Sequence, residues 1–172
     1  MKVLVTGGAG YIGSQTAKAL SRRGYDPVVL DDLSTGFRNA VRWGEFIEGD
    51  FGDRDLLRKT LARHEIGVVF HFAASASVGE SVRNPAAFYR NNVANTLALL
   101  DAMLECGVKL IIFSSSAATY GDPEAVPMPE EHPQRPVNPY GESKLAIERA
   151  LHWYGNAYGL RWVAFRYFNA AG

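Results

Sequence analysis

A glycine-rich turn limits what this chain can fold into more than any other stretch. It reads Thr6-Gly7-Gly8-Ala9-Gly10-Tyr11-Ile12-Gly13, directly after the apolar run Val3-Leu4-Val5. Gly8, Gly10 and Gly13 satisfy the spacing GxGxxG, and Gly7, Gly10 and Gly13 the wider GxxGxxG. Glycine permits unusual dihedrals and lets the backbone approach a pyrophosphate with no Cβ in the way. The helix that follows offers free N–H groups and the positive end of its dipole to phosphates. A strand, a glycine turn and a helix in that order predict the opening unit of a doubly wound α/β sheet.

The rest of the chain keeps that rhythm. Strands are predicted at Lys2–Thr6, Pro27–Leu30, Glu45–Glu48, Val68–Phe72, Leu110–Phe113 and Arg161–Phe168, the fifth ending in Ser114-Ser115-Ser116. Helices are predicted from Tyr11 to Arg23, from an Asp53 cap to Arg63, from Pro85 to Glu105 and from Pro139 to Tyr158. The Pro85–Glu105 helix is expected to break or cap near Asn91-Asn92, and Asp122–Pro139 reads as a proline-rich loop. Strands alternating with helices imply a parallel sheet covered on both faces, and near-continuous apolar strands fit that burial. The expectation is one α/β, Rossmann-type domain over residues 1–172, with six strands.

Eighteen basic residues balance eighteen acidic ones, so no bulk charge draws the chain to nucleic acid or to an anionic membrane. Neutrality also removes colloidal repulsion and favours self-association. The single cysteine, Cys106, excludes an intrachain disulfide. There is no cluster of residues with metal-ligand spacing, no membrane-length apolar run and no signal-peptide core after Met1, which together read as a cytoplasmic protein.

Asp31 ends the second strand at roughly the 20-residue offset at which a carboxylate meets the adenosine ribose of a dinucleotide. Such an acid repels a 2′-phosphate. Asp32 adds a second negative charge and the nearest arginine is Arg38, so NAD is favoured over NADP. Tyr140 and Lys144 lie four apart in the first turns of a helix that Asn138 can cap. An ammonium near a phenol favours phenolate, which makes Tyr140 a candidate general base. Ser116 stands at the carboxyl end of a parallel strand, where ligands of such sheets bind, and its hydroxyl can hold a substrate oxygen.

With those residues stated, the chain resembles the extended short-chain dehydrogenase/reductases, and among them the UDP-glucose 4-epimerases. The resemblance is carried by VTGGAGYIGS, LDDLSTG, VVFHFAA, VGES, NNV, SSSAATYGD, NPYGESK and RYFNAAG. It implies that Tyr140 is the base, that Lys144 assists it and holds the nicotinamide ribose, and that Ser116 contacts the sugar. It implies an NAD site formed by Gly7, Gly10, Tyr11, Ile12, Gly13, Asp31, Asp32, Leu33, Ser34, Thr35, Gly36, Asp50, Phe51, Phe72, Ala73, Ala74, Asn91, Tyr140, Lys144 and Phe168. Asn169 would touch the UDP-sugar. The implied reaction passes hydride from the sugar C4 to NAD and back through a 4-keto intermediate, a step in galactose metabolism.

The resemblance also implies departures. Asp32 stands where the family commonly has asparagine, Ala76 where some members have lysine, and Ala118-Thr119 is atypical. Family members run well past this length, so the chain is expected to hold the NAD-binding part without the substrate domain and to show weak or absent turnover. A sugar-nucleotide 4,6-dehydratase or decarboxylase is the sibling alternative. The dehydratases need an Asp-Glu pair where Ala117-Ala118 stand. A non-catalytic NAD-binding module is the alternative of another class. The apolar faces of the Pro85–Glu105 and Pro139–Tyr158 helices resemble the family's two-helix homodimer contact. His71, Trp43, Trp153 and Trp162 read as packing or interface residues.

Overall fold

The computed structural model describes residues 1–171. Six parallel strands run in the order β3-β2-β1-β4-β5-β6: β1 Lys2–Thr6, β2 Asp26–Asp31, β3 Glu45–Glu48, β4 Val68–His71, β5 Leu110–Ser116 and β6 Arg161–Tyr167. The helices are α1 Tyr11–Arg22, α2 Arg54–Arg63, α3 Val78–Arg83, α4 Pro85–Phe88, α5 Asn95–Glu105 and α6 Pro139–Tyr158. The order reverses between β1 and β4, so the carboxyl ends of those strands open a crevice, as parallel sheets of this kind do at the switch point.

Side chains alternate across a strand, and the core divides accordingly. Leu4, Val28, Leu30, Val69, Ile111 and Phe113 face α2, α5 and α6, packing with Leu57, Leu61, Leu99, Leu100, Met103, Ile147 and Leu151. Val3, Val5, Val29 and Val68 face the other way, onto Ala17 and Leu20 of α1. The central strands β1 and β2 are buried on both sides, as their apolar runs imply. The edge strands β3 and β6 are not: β6 alternates exposed and half-buried positions, with Val163 43% and Phe165 49% exposed. Trp162 packs against the larger core, Trp43 is half-buried under the Lys18 ammonium, and Trp153 lies at the surface.

Three expectations are corrected. The helix predicted over Pro85–Glu105 does not break at Asn91-Asn92. Instead α4 runs into α5 through one wide i→i+5 segment, Tyr89–Ala94. An extra residue in the turn re-aims side chains without ending the helix, and such bulges gather at functional sites. Second, α3 was not foreseen; Ser77 caps it, its hydroxyl accepting from the Glu80 N–H. Third, β4 stops at His71 and β6 at Tyr167, one residue early, although the Phe72 N–H still donates to the Thr6 carbonyl at 3.0 Å.

Candidate active site

The site starts at Gly7, whose φ of 70° lies in the left-handed region. A Cβ there would stand 2.5 Å from the Ala73 backbone nitrogen, so glycine is also what lets the turn lie against the end of β4. Asp31, almost fully buried, fixes the turn from the other side. Its Oδ2 accepts from the Ala9 N–H at 2.9 Å and its Oδ1 from the Leu33 N–H at 2.9 Å. Each carboxylate oxygen keeps a second lone pair for another donor. Asp32 Oδ1 accepts from both the N–H and the hydroxyl of Ser34, which folds the 31–36 segment along the same rim.

These elements border a cleft of about 830 Å³. Its walls include Gly7, Gly10, Tyr11, Ile12 and Gly13 at one end and Ser116, Tyr140 and Lys144 at the other. Asp31, Asp32, Ser34, Thr35, Gly36, Phe51, Phe72, Ala73, Ala74, Asn91 and Phe168 also line it. Three residues named from the resemblance stand outside that lining. Leu33 contributes its N–H to Asp31 instead. Asp50 Oδ1 is taken by the Gly52 N–H and by Asn95 Nδ2. Asn169 lies exposed just past the end of β6.

At the far end, Asn138 caps α6 through the Gly141 N–H at 2.9 Å and Pro139 occupies its first turn, which sets Tyr140 at the helix start. Lys144 is buried. Its Nζ donates to the Ser114 carbonyl at 2.8 Å and lies 5.9 Å from the centre of the Tyr140 ring. Burial lowers the Lys144 pKa to about 8, so the ammonium still predominates at neutral pH. Ser116 Oγ accepts from the Ala118 N–H at 3.1 Å, which leaves its own proton to donate.

Lys144 carries a testable cost. Its folded pKa, about 8, lies below the unfolded 10.5, so the unfolded chain binds more protons between those values and stability rises with pH across that window. Lys144→Met should therefore stabilise the fold at pH 7 by up to about 3 kcal/mol and gain little at pH 10.5. Urea unfolding at both pH values checks it; equal effects at the two would refute the assignment.

Sequence reading missed the residues that brace the Tyr140 turn. Asn92 is buried; its Oδ1 accepts from the Ser75 N–H at 2.8 Å. Its Nδ2 donates to the Ser75 carbonyl (2.9 Å) and to Ser143 Oγ (3.1 Å), and the Ser143 hydroxyl donates to the Tyr140 carbonyl (2.7 Å). The wide turn after α4 is thus locked both to the loop after β4 and to the start of α6. A pair of asparagines inside an apolar helix was the available signal, and it was read as a break. Ser75, Ser77, Glu80 and Asn84 also line the cleft without having been foreseen. Among the described residues no group of His, Cys, Asp and Glu could hold a metal ion, and no helix is long and apolar enough to cross a membrane.

The model of the NAD dependent epimerase/dehydratase family matches residues 3–172. The UDP-glucose 4-epimerase of Rhizobium meliloti (strain 1021) is 55% identical over 170 residues, covering 99% of this chain and 52% of that protein. That of Halalkalibacterium halodurans is 52% identical over 172 residues, covering 100% and 52%. A crystal structure of UDP-glucose 4-epimerase from Brucella ovis in complex with NAD superposes with a TM-score of 0.98 at 56% identity, over 99% of this chain and 53% of that one. The Thermotoga maritima UDP-glucose 4-epimerase with UDP-glucose gives 0.96 at 38% identity, over 100% and 57%. The chain spans about half the length of the curated relatives it matches.

Proposed function

The chain belongs to the NAD dependent epimerase/dehydratase family, and from that premise we propose that it binds NAD and carries the acid–base half of a C4 epimerisation of a UDP-hexose. One observation carries the reading: a single cleft is bordered at one end by the glycine turn and at the other by Tyr140, Lys144 and Ser116. The residues present suit the dinucleotide. The glycine turn is packed so closely on itself and on the end of β4 that it admits no Cβ at Gly7 or Gly13. It leads into the N-terminal end of α1, where a pyrophosphate would lie, and Asp31 offers lone pairs to ribose hydroxyls. When bound, NAD supplies the hydride acceptor for the sugar C4.

The chain's own groups supply the rest. Tyr140 takes the proton of the sugar 4-hydroxyl and returns it. Lys144 holds positive charge beside the phenol from a site anchored on the Ser114 carbonyl, and in this role it also holds the nicotinamide ribose. The Ser116 hydroxyl donates to the sugar oxygen and keeps it against Tyr140. Asn169, which follows Phe168 of the cleft wall, contacts the UDP-sugar. Residues 1–172 act as the dinucleotide domain, and the sugar nucleotide's remaining contacts come from sequence of the kind the relatives carry beyond the matched half. Two copies pair through the faces of residues 85–105 and of α6, the latter exposing Trp153 and Tyr158. The protein acts in the cytoplasm, in galactose metabolism.

The purified chain should bind one NAD per chain in a calorimetric titration and scatter light with the mass of two chains. Incubated with NAD and UDP-galactose, it should form UDP-glucose slowly or not at all. Absence of NAD binding would refute the dinucleotide reading. Brisk turnover would refute the dependence on further sequence.

A further inference from the structure

Four residues beyond Lys144, and so on the same face of α6, stands Glu148. It is 6% exposed and lies outside the cleft wall, yet both its carboxylate oxygens are taken. Oε1 accepts from the Ser115 hydroxyl and from Arg166 Nε at 3.1 Å. Oε2 accepts from Arg166 Nη2 at 2.7 Å and Gln134 Nε2 at 2.9 Å. Burial acts to raise the carboxyl pKa, and the hydrogen bonds from Arg166, Ser115 and Gln134 outweigh it and hold the group ionised below its usual range.

What Glu148 grips matters. Ser115 is 2% exposed and sits between Ser114, whose carbonyl receives Lys144, and Ser116. Helix α6 therefore holds the end of β5 at two successive residues, by an ammonium on one and a carboxylate on the next. Arg166 extends the grip. Its Nη1 donates to the Tyr120 hydroxyl at 2.9 Å and to the Glu130 carbonyl at 3.1 Å, and its neighbour Tyr167 lines the cleft. One buried carboxylate thus ties α6, the end of β5, β6 and the proline-rich loop together, immediately behind Ser116 and Tyr140.

We propose that Glu148 is a positioning residue: acting through Ser115 and Arg166, it sets Ser116 and the Tyr140–Lys144 pair at their separation and so shapes the nicotinamide end of the cleft. The proposal rests on the reading of that end given under the proposed function. A residue that merely stabilised the fold would weaken every ligand alike. A residue that positions this end weakens only ligands that reach it.

NAD and ADP make that distinction, because ADP carries the adenosine and the pyrophosphate and stops there. In calorimetric titrations the wild-type chain should prefer NAD to ADP. Glu148→Gln should reduce that preference about tenfold, and Ser115→Ala, which keeps the ion pair, about threefold, with ADP affinity within about twofold of wild type in both. A preference unchanged in both variants, or NAD and ADP affinities falling together, would overturn the proposal while leaving the NAD reading intact. If Glu148→Gln does not fold, the Ser115→Ala result decides alone. A wild-type chain with no preference for NAD would overturn the nicotinamide reading, and the proposal with it.

Discussion

Alanine at position 13 should leave the chain unable to hold NAD, with affinity reduced at least about 100-fold and a lowered melting midpoint. Gly13 lies in the first turn of α1, and its backbone dihedrals are ordinary, so the effect is purely steric. A Cβ there would meet the Gly7 carbonyl oxygen, the Gly8 Cα at 2.8 Å and the Gly7 carbonyl carbon at 2.9 Å, all of them backbone. Gly7 cannot retreat, because its other side lies against Ala73 and its φ of 70° already requires glycine.

The turn must therefore swing away from α1. That displaces the N–H groups that would meet a pyrophosphate and strains the Ala9–Asp31 hydrogen bond. Overpacking of this kind costs about 1–3 kcal/mol, occasionally more. Gly79→Ala is the control: nothing lies within 4 Å of a Cβ there and no positive φ is required, so binding and melting should hold or improve slightly. A Gly13→Ala chain that melts normally and binds NAD within tenfold of wild type would show that the turn relaxes freely.

Acid should unfold this protein earlier than its carboxylates alone would require, and His71 is the reason. The ring is 1% exposed, stacked on Phe113 with centroids 5.9 Å apart and flanked by the tilted ring of Phe51 at 5.1 Å. Thr6 Oγ1 lies 2.6 Å from its Nδ1 and Thr96 Oγ1 2.9 Å from its Nε2, so the neutral ring donates to one hydroxyl and accepts from the other. Burial, and next the charge of Lys144, lower its pKa from 6.5 to about 3.

Between those values the unfolded chain binds a proton that the folded chain refuses. Stability is therefore fully present above pH 6.5 and is lost as pH falls toward 3, by up to about 5 kcal/mol. That is as large as the whole stability of many domains. Glu148, held below 4.5 by its donors, loses its contribution in the same direction at lower pH. Urea unfolding should show stability falling by about 1 kcal/mol per pH unit below pH 6 in the wild type. His71→Phe should start less stable at pH 7, for want of two hydrogen bonds, and should show a flatter slope. Equal slopes would mean that the ring accepts its proton while folded.

Much of the cleft was legible because its signals are local. Glycine spacing, the acid after β2 and the four-residue step from Tyr140 to Lys144 are each confined to one turn and its flanks. The i+4 step from Lys144 to Glu148 was equally local, and it went unread because nothing in the sequence shows that Ser115 lies beneath it.

Legibility failed where a polar side chain is satisfied from far along the chain. Asn92 finds Ser143 51 positions later, and Lys144 finds the Ser114 carbonyl 30 positions earlier. In sequence, an asparagine pair inside a helix is most simply a cap. In the structure it is held by another element, and the helix continues through a widened turn. Lys144 likewise donates to the strand end, a partner that the helical step to Tyr140 does not reveal.

The amino-acid order alone determined the parallel α/β architecture, the glycine turn between the first strand and the first helix, and the four-residue step from Tyr140 to Lys144. These follow from periodicity and backbone sterics, which act over a few residues. Only the tertiary structure decided that α4 and α5 join without a break, that His71 is a neutral clamp and that Glu148 holds the end of β5. Those outcomes depend on sheet register and helix rotation, which bring donors and acceptors distant in sequence within 3 Å in a dry interior, where an unpartnered group would cost more than the fold can spare.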